Sequence, residues 1–393
     1  MTPVFFIRIV SRKLLWLSIW LITWGCSQKY VEITAGPDSG DLSIHEALDS
    51  AYQIRSTDTR MGIGIHILPG TYYLESPLLI GPELNGISIS GEGLSAVSIR
   101  GSIPLDLTWK NSEGPVYVAS VPEGFHIDQL IADGTPQILA RYPDYSEEGG
   151  YWQGYAADAL SEERIASWEN PAGAYFHVMH RGRWGGFHYQ IKGLDANGKP
   201  VLAGGHQNNR PSPPHPEYRM VENVMEELDS PGEWFLDQEK NMLYFWPPEG
   251  VDAETAVFEG SNLKNLLTLK GDMEDPVKNV RIQGIKFEHS RRTFMEPYEP
   301  LLRSDWTIYR GGAIFLEGTE DCIVEKCEFT NLGGNVIFAS GYNRDLAILG
   351  NHIHDCGASA ISFVGDPSAV RSPSFQYGQF VALDDMDTLP GPK

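Results

Sequence analysis

The chain has 393 residues, of which 41% are hydrophobic and 21% are charged, a composition typical of globular rather than disordered proteins. Its formal net charge of -22 argues against nucleic acid as a partner, because phosphate binding requires a basic surface. The 41 glycines and 26 prolines predict many turns, as folds rich in short β-strands require.

The N-terminal segment, residues 1–26, has the organisation of a bacterial-type export signal. Three basic residues are followed by an apolar run over residues 14–24, which is too short to span a bilayer. Gly25 before Cys26 resembles a lipoprotein processing site, where the cysteine is lipidated. We therefore expect export to the periplasm, the outer membrane or the cell surface, with Cys26 as the only membrane anchor. The alternative is an ordinary cleaved signal in which Cys26 is incidental.

Residues 43–51 predict a short amphipathic helix. Ser43 and Glu46 form a capping-box pattern at its start. The apolar residues that fall on one helical face are Ile44, Ala47, Leu48 and Ala51. We expect this helix to cover the open end of a solenoid, because an uncovered strand edge invites aggregation.

Short apolar strands recur with a period of 22 to 24 residues, which indicates a β-solenoid. One strand class opens with Asn or Asp, and a second class opens with glycine. The recurring segments are 279–287, 321–329 and 345–353 in the first class, 311–316, 333–338 and 357–363 in the second, and 65–67 and 87–89 near the N-terminus. Each strand buries only one face, so the coils must stack to enclose an apolar core.

The coil period is lost between residues 101 and 260. Asn197-Gly198 lies between two β-prone segments and predicts a hairpin, and a second hairpin is predicted around residues 237–241. Residues 222–228 predict a short helix. We therefore expect a β-rich subdomain inserted into the early coils and packed over their groove.

Cysteine spacing indicates neither a disulfide nor a zinc site. Cys322 and Cys327 are five residues apart in one predicted strand, so we expect them on opposite faces and unpaired. Together with Cys356 they are interpreted as buried small apolar residues. No CxxC or Cys/His spacing points to zinc.

Several motifs resemble those of pectin-lyase-like β-helix proteins. Ile65-His66-Ile67-Leu68-Pro69-Gly70-Thr71-Tyr72 follows the predicted helix as it does in that family, and residues 139–144, 232–237 and 243–248 are similar to β-helix members of glycoside hydrolase family 141. This resemblance covers residues 30–393. It implies an all-β, right-handed parallel β-helix that hydrolyses a polysaccharide or other glycan without a cofactor. A polysaccharide lyase and a non-catalytic glycan-binding or adhesion β-helix stay open, because the scaffold serves all three.

The expected organisation has four parts. They are an export segment at residues 1–26, the cap and first coils at 30–100, the insert at 101–260, and further coils at 261–393. Members of the resembled family continue through more coils, so we expect the chain to be truncated at its C-terminal end.

Glycoside hydrolysis usually needs two carboxylates, one as acid and one as base or nucleophile. Asp366, Asp355 and Glu317 lie at the ends of predicted coil strands, and we predict that they face one groove. The alternative is that they cap strands and bind water, or that the true pair lies beyond Lys393.

Aromatic and arginine side chains bind sugars by stacking and by paired hydrogen bonds. Arg183 and Trp184 lie in a glycine-flanked stretch of the insert, and Tyr309 and Arg310 flank a loop that interrupts the coils. We predict that all four bind substrate. The alternative for Trp184 is an anchor between the insert and the β-helix.

His352 and His354 alternate on one strand and should share a face. We predict His354 as a sugar contact or proton carrier. The sequence shows no third ligand beside them, so no metal site is predicted.

Overall fold

A computed structural model describes residues 8–9, 29–93, 96–112, 114–208, 212–300 and 307–366. Cys26 lies outside the described residues. The main body is a β-helix in which successive coils contribute strands to three parallel sheets, here named A, B and C. Among the described residues, no helix is long and apolar enough to cross a membrane.

Neighbouring strands are parallel within each of the three sheets, and the sheets differ in the number of strands. Sheet A contains Arg8–Ile9, Tyr30–Ala35, Gly62–Ile67, Ser88–Gly91, Arg281–Gln283, Ile323–Glu325 and Ala347–Leu349. Sheet B contains Gly70–Tyr73, Val97–Arg100, Lys286–Ser290, Glu328–Leu332 and His352–Ile353. Sheet C contains Leu78–Ile80, Leu267–Lys270, Val277–Lys278, Ile314–Glu320, Ile337–Arg344 and Ile361–Val364.

The core is built from ladders of equivalent apolar side chains. Sheet A aligns Ile33, Ile65, Ile89, Ile282, Val324 and Ile348. In sheet B, Phe287 and Phe329 are register partners whose rings stack 5.3 Å apart at 8°. The predicted solenoid is confirmed. The N-terminal strands differ from the predicted repeat in one detail. Ile65 pairs with Ile89 rather than with Ile87, and this two-residue shift keeps the same face of the strand inward.

The coil corners explain why the first strand class opens with Asn or Asp. Asn279, Asp321 and Asp345 each precede a strand of sheet A, with left-handed φ values of 55°, 53° and 52°. Asn and Asp tolerate this conformation better than other non-glycine residues. The repeated polar residue is therefore a requirement of the corner.

Cys322 and Cys327 are both buried in the β-helix core, so the expectation that they face opposite sides is wrong. The strand Ile323–Glu325 lies between them, and Lys326 then turns the corner into sheet B with a φ of 50°. The corner interrupts the alternation, so both thiols point inward. They are unpaired, and burial raises the pKa of each thiol to about 11. Cys356, expected to be buried, is half-buried and unpaired.

The predicted capping helix is present at Ile44–Thr57. Ser43 accepts a hydrogen bond from the backbone N–H of Glu46, and the Glu46 side chain accepts one from the backbone N–H of Ser43. The four predicted apolar residues are buried in the same core cluster as the coils. The other helices among the described residues are Glu162–Ala166 and the 3₁₀ turns Pro82–Leu84, Tyr151–Gln153 and Met225–Glu227.

The coils on either side of the insert pair directly, since Val97–Arg100 lies beside Lys286–Ser290 in sheet B. The insert forms three sheets. The first contains Ile138–Leu139, Glu233–Asp237, Met242–Phe245, Tyr117–Ser120 and Lys110–Asn111. The second contains Thr135–Pro136, Leu130–Ala132, Phe258–Ser261 and Ser102–Leu105. The third contains Arg141–Tyr142, Pro214–Glu222, Tyr175–His180, Gly186–Leu194 and Pro200–Gly204. A small hairpin joins Glu299–Pro300 to Thr307–Ile308.

Local sequence signals predicted the two hairpins of the insert correctly. The strands on either side of Asn197-Gly198 pair with each other, and so do Glu233–Asp237 and Met242–Phe245. The prediction of a helix at residues 222–228 is wrong, because a long strand ends at Glu222 and only a 3₁₀ turn follows it. Pairing with neighbouring strands outweighs the weak helical preference of this segment.

Glu259 fastens the insert to the coils. Its carboxylate is buried and accepts hydrogen bonds from Ser102 Oγ at 2.6 Å and His289 Nδ1 at 3.3 Å, and it forms an ion pair with Arg100 of sheet B. Burial opposes ionisation, but the contacts from His289, Ser102 and Arg100 outweigh it and hold the pKa of Glu259 at about 2. Glu259 therefore carries its charge at neutral pH.

Candidate functional site

A cavity of about 400 Å³ lies where the insert meets the turn between sheets B and C. Coil residues 331–333 and 355–357 line one side, and the insert lines the other. The charged residues on its wall are Asp128, Arg141, Glu222, Arg292 and Asp355. Carboxylates from both parts of the protein therefore line one open cavity.

Arg292 joins the two sides of this cavity. Its backbone N–H donates to Oδ2 of Asp128 at 3.0 Å, and its Nη1 donates to Oε1 of Glu222 at 2.6 Å. The guanidinium carbon lies 4.9 Å from the centroid of the Phe294 ring. Its Nε and Nη2 are buried and have no hydrogen-bond partner among the described residues.

Asp128 is held in a fixed orientation. Ser261 Oγ donates to Oδ1 at 2.5 Å, while Oδ2 receives the backbone N–H of Arg292. Only 11% of its side chain is exposed. A carboxylate fixed in this way can act on a bound substrate without first reorganising.

Glu222 is a buried carboxylate at the end of an insert strand. It lies 3.2 Å from His177 Nε2 and is paired with Arg292. Burial opposes ionisation, but Arg292 and His177 outweigh this effect and lower the pKa of Glu222 well below its usual range. Glu222 is therefore ionised at neutral pH and orients Arg292.

Two buried histidines support this wall from the insert. The Nδ1 atoms of His177 and His188 lie 2.6 Å apart, and each ring centroid is 5.3 Å from that of Phe294. Burial and the neighbouring His177 lower the pKa of His188 well below its usual range. The pair packs beneath Phe294 and Glu222.

A second cavity, of about 690 Å³, adjoins the first. Both cavities share Asp128, Leu139, Trp234 and Arg292 as lining residues. The second is lined by further acidic residues, including Glu169, Glu226 and Asp237. The two cavities together provide room for a substrate larger than one sugar unit.

The structure places one of the three predicted carboxylates, Asp355, in the first cavity. Asp355 adopts a φ of 48° at the corner after sheet B. Glu317 does not line either described cavity; it accepts a hydrogen bond from Ser340 Oγ at 3.0 Å and lies 3.5 Å from Lys270 Nζ. Asp366 follows the last described strand of sheet C and also lies outside both cavities.

Arg310 is fully engaged within the protein. Its guanidinium pairs with Glu299 and donates to Ser340 Oγ at 2.7 Å and to the Gly365 carbonyl at 2.8 Å. These contacts tie the interrupting loop to the end of sheet C, so Arg310 stabilises the loop. Tyr309 is half-buried beside it, and burial raises the pKa of its phenol.

Trp184 lies at the tip of an insert hairpin with 60% of its surface exposed. Its ring stacks on His180 at 5.4 Å and 20°. Arg183 adopts a φ of 58°, and its guanidinium carbon is 5.8 Å from the Tyr218 ring. Neither residue lines either described cavity, and the exposure of Trp184 does not fit an anchor packed on the β-helix.

His354 lies directly behind Asp355. Its Nδ1 is 2.7 Å from Oδ2 of Asp355, and its Nε2 is 3.3 Å from Oε1 of Glu328. The hydrogen bond to Asp355 is the main cause of a raised pKa of His354. The sequence shows no third ligand for the histidine pair, but the coil register brings one, because Glu328 is the register partner of His352.

Sequence reasoning missed Asp128, Glu222 and Arg292. Asp128 and Glu222 belong to the irregular insert, where no repeat reports which residues face the coils. The one usable signal was the Arg291-Arg292-Thr293-Phe294 stretch at the edge of the interrupting loop.

Comparisons with known proteins agree with the architecture. The family model described as "Right handed beta helix region" matches residues 251–376. A solved structure named "Glycoside hydrolase" is 20% identical, with a TM-score of 0.64, and the match covers 80% of this chain and 65% of that one. This chain therefore spans 65% of that protein's length. The fold is a right-handed parallel β-helix.

Two further solved structures match more weakly. The complex of XylC with xylose is 13% identical over 84% of this chain and 54% of that chain, with a TM-score of 0.40. The Gp54 tailspike of Acinetobacter baumannii bacteriophage AP22, in complex with a capsular saccharide, is 9% identical over 82% and 43%, with a TM-score of 0.14. No curated protein sequence matches the chain.

Proposed function

We propose that this protein is a glycoside hydrolase that acts on a polysaccharide, and that the two adjoining cavities bind the substrate. One observation carries the proposal. Asp128 of the insert and Asp355 of the coils line the same cavity, together with Arg292, which has two buried donors without a partner among the described residues. The match to a glycoside hydrolase of the same fold supports the proposal by analogy of scaffold.

Asp128 and Asp355 are the proposed catalytic pair. Hydrolysis of a glycosidic bond needs one carboxyl group that protonates the leaving oxygen and a second carboxylate that acts as base or nucleophile. Asp128 is fixed by Ser261 and Arg292, and Asp355 is oriented by His354. Arg292 lies on the same cavity wall and holds Asp128 in place through its backbone N–H.

The proposed place of action is outside the cytoplasm. The basic, then apolar start of the chain and the Gly25-Cys26 pair support export, with lipidation of Cys26 as the means of attachment. Metabolic labelling with a radioactive fatty acid tests this, because the label should enter the wild-type protein and not a Cys26→Ala variant.

A polysaccharide lyase is the second candidate. Arg292 is a cation on the cavity wall, and a cation suits the carboxylate of a uronic acid, which a lyase must neutralise before it removes a proton. The two reactions leave different products. A lyase forms an unsaturated uronide that absorbs ultraviolet light, whereas a hydrolase releases reducing ends without this absorption.

The test is a screen of the full-length protein against neutral and acidic polysaccharides, with reducing ends and ultraviolet absorption recorded in the same reactions. Reducing ends without absorption support the hydrolase. Absorption that rises with the reducing ends supports the lyase instead. Binding of a glycan without either product would overturn both proposals in favour of a glycan-binding protein.

A further inference from the structure

The outer face of sheet B carries two histidines above a glutamate. Glu328 and His352 are register partners in neighbouring coils, and the backbone N–H of His354 donates to the Phe329 carbonyl at 3.0 Å. Because side chains two residues apart share a face, His352 and His354 lie together beside Glu328. The three residues come from two successive coils, and the parallel register brings them together.

The polar atoms of these side chains converge. One ligand atom from each of Glu328, His352 and His354 lies within 4.8 Å of the others. The two imidazole rings stack 4.3 Å apart at 29°. His354 Nε2 and Glu328 Oε1 are 3.3 Å apart, which equals about one edge of a tetrahedron with metal–ligand bonds of about 2.0–2.1 Å.

Asp355 sets the direction of the His354 lone pair. Its Oδ2 lies 2.7 Å from Nδ1 of His354, which also has Thr330 Oγ1 at 3.4 Å. When Nδ1–H donates to Asp355, Nε2 presents a lone pair towards the Glu328 carboxylate. A carboxylate on the outer nitrogen of a metal-binding histidine is the usual way in which proteins fix such a ligand.

Glu328 has a limited set of other partners. Its register partner in the preceding coil, Lys286, forms its ion pair with Glu288 at 2.7 Å instead. Within the part of the chain that the structure describes, His354 is the only basic residue in salt-bridge contact with Glu328. The carboxylate therefore remains available to a cation.

We propose that Glu328, His352 and His354 bind a divalent transition-metal ion of the Zn²⁺ class, with Asp355 orienting His354. Two imidazole nitrogens and one carboxylate suit Zn²⁺ and its neighbours, whereas Ca²⁺ and Mg²⁺ prefer oxygen ligands alone. The ion links two successive coils of sheet B. It also fixes the residue that precedes Asp355, and with it one wall of the cavity.

The site does not depend on the proposed hydrolysis, so metal binding itself is the readout. The full-length protein is stripped of metal and titrated with Zn²⁺ in competition with a chromophoric chelator. We expect one Zn²⁺ per chain, and at least tenfold weaker binding in His352→Ala and in Glu328→Gln. Both residues are at the surface or half-buried, so circular dichroism should show folded variants.

His66→Ala is the matched control. His66 Nε2 lies 3.3 Å from Glu92 Oε1, which reproduces the histidine–glutamate contact without a second histidine beside it. This variant should bind Zn²⁺ as the wild type does. Co²⁺ in place of Zn²⁺ should give the visible absorption of a four- or five-coordinate nitrogen and oxygen site, and this absorption should disappear in His352→Ala.

Three results would overturn the proposal. The first is an absence of saturable Zn²⁺ binding to the wild type at micromolar concentrations. The second is equal binding by the wild type and both site variants, which would place the ion elsewhere. The third is binding of Ca²⁺ in preference to Zn²⁺.

Discussion

Arg292 and Glu222 form a buried ion pair, 2.6 Å from Nη1 to Oε1, that joins the β-helix to the insert. Arg292 follows a strand of sheet B, whereas Glu222 ends a strand that lies about 70 residues earlier in the insert. The cavity wall therefore exists only when the two parts of the protein are docked. This dependence can be measured.

Removal of one partner of this pair should destabilise the protein strongly. Arg292→Met leaves the Glu222 charge buried without its main partner, so we expect a loss of about 3–5 kcal/mol in the free energy of unfolding. The double variant Arg292→Met/Glu222→Gln removes both charges and should recover most of this loss. Urea unfolding followed by tryptophan fluorescence gives both values; simple addition of the two single effects would contradict the coupling.

Substitution of the proposed catalytic pair should remove activity and leave the fold intact. Asp128→Asn and Asp355→Asn should each lower kcat by about 10²–10⁴-fold, because the amide cannot transfer a proton or act as a base. Asp345→Asn is the control, since Asp345 adopts a left-handed corner conformation as Asp355 does. Full activity in Asp355→Asn would assign the reaction to other carboxylates.

Acid should weaken the attachment of the insert through Glu259. The pKa of Glu259 is about 2 in the folded protein, against an ordinary value of 4.5, so its ionised form stabilises the fold above about pH 4.5. This contribution, on the order of 3 kcal/mol, is lost as the pH falls from 4.5 to 2. Glu259→Gln should therefore be less stable than the wild type at pH 7, and the difference should shrink at pH 3. The exposed Glu274→Gln should show no such dependence.

The stacked phenylalanines should carry a large share of local stability. Phe329→Ala removes a fully buried ring from between Phe287 and Ile353, and we expect a cost of about 3–5 kcal/mol. Leu349→Ala, on an exposed position of sheet A in the following coil, should cost less than about 0.5 kcal/mol. Thermal unfolding monitored by circular dichroism distinguishes the two; equal costs would mean that the ladder does not behave as a packed core.

The sequence predicted the parts of the fold that repeat or obey local rules. The capping helix and both hairpins depend on neighbours close in the chain, and the strand ladders repeat a pattern that is visible in it. The site depends on contacts that no local pattern records. Asp128 contacts Arg292 only because the insert docks on the coils. Glu328 lies beside His352 only because one coil is 24 residues long at that point.

The direct pairing of Val97–Arg100 with Lys286–Ser290 has a consequence for synthesis of the protein. A ribosome must add about 190 residues after the first strand before its partner emerges, which takes roughly 10–40 s at ordinary translation rates. During this interval the first coils present an open edge of sheet B, while the local hairpins of the insert are already complete. Until the following coil reaches it, this edge can pair with the strand of another chain.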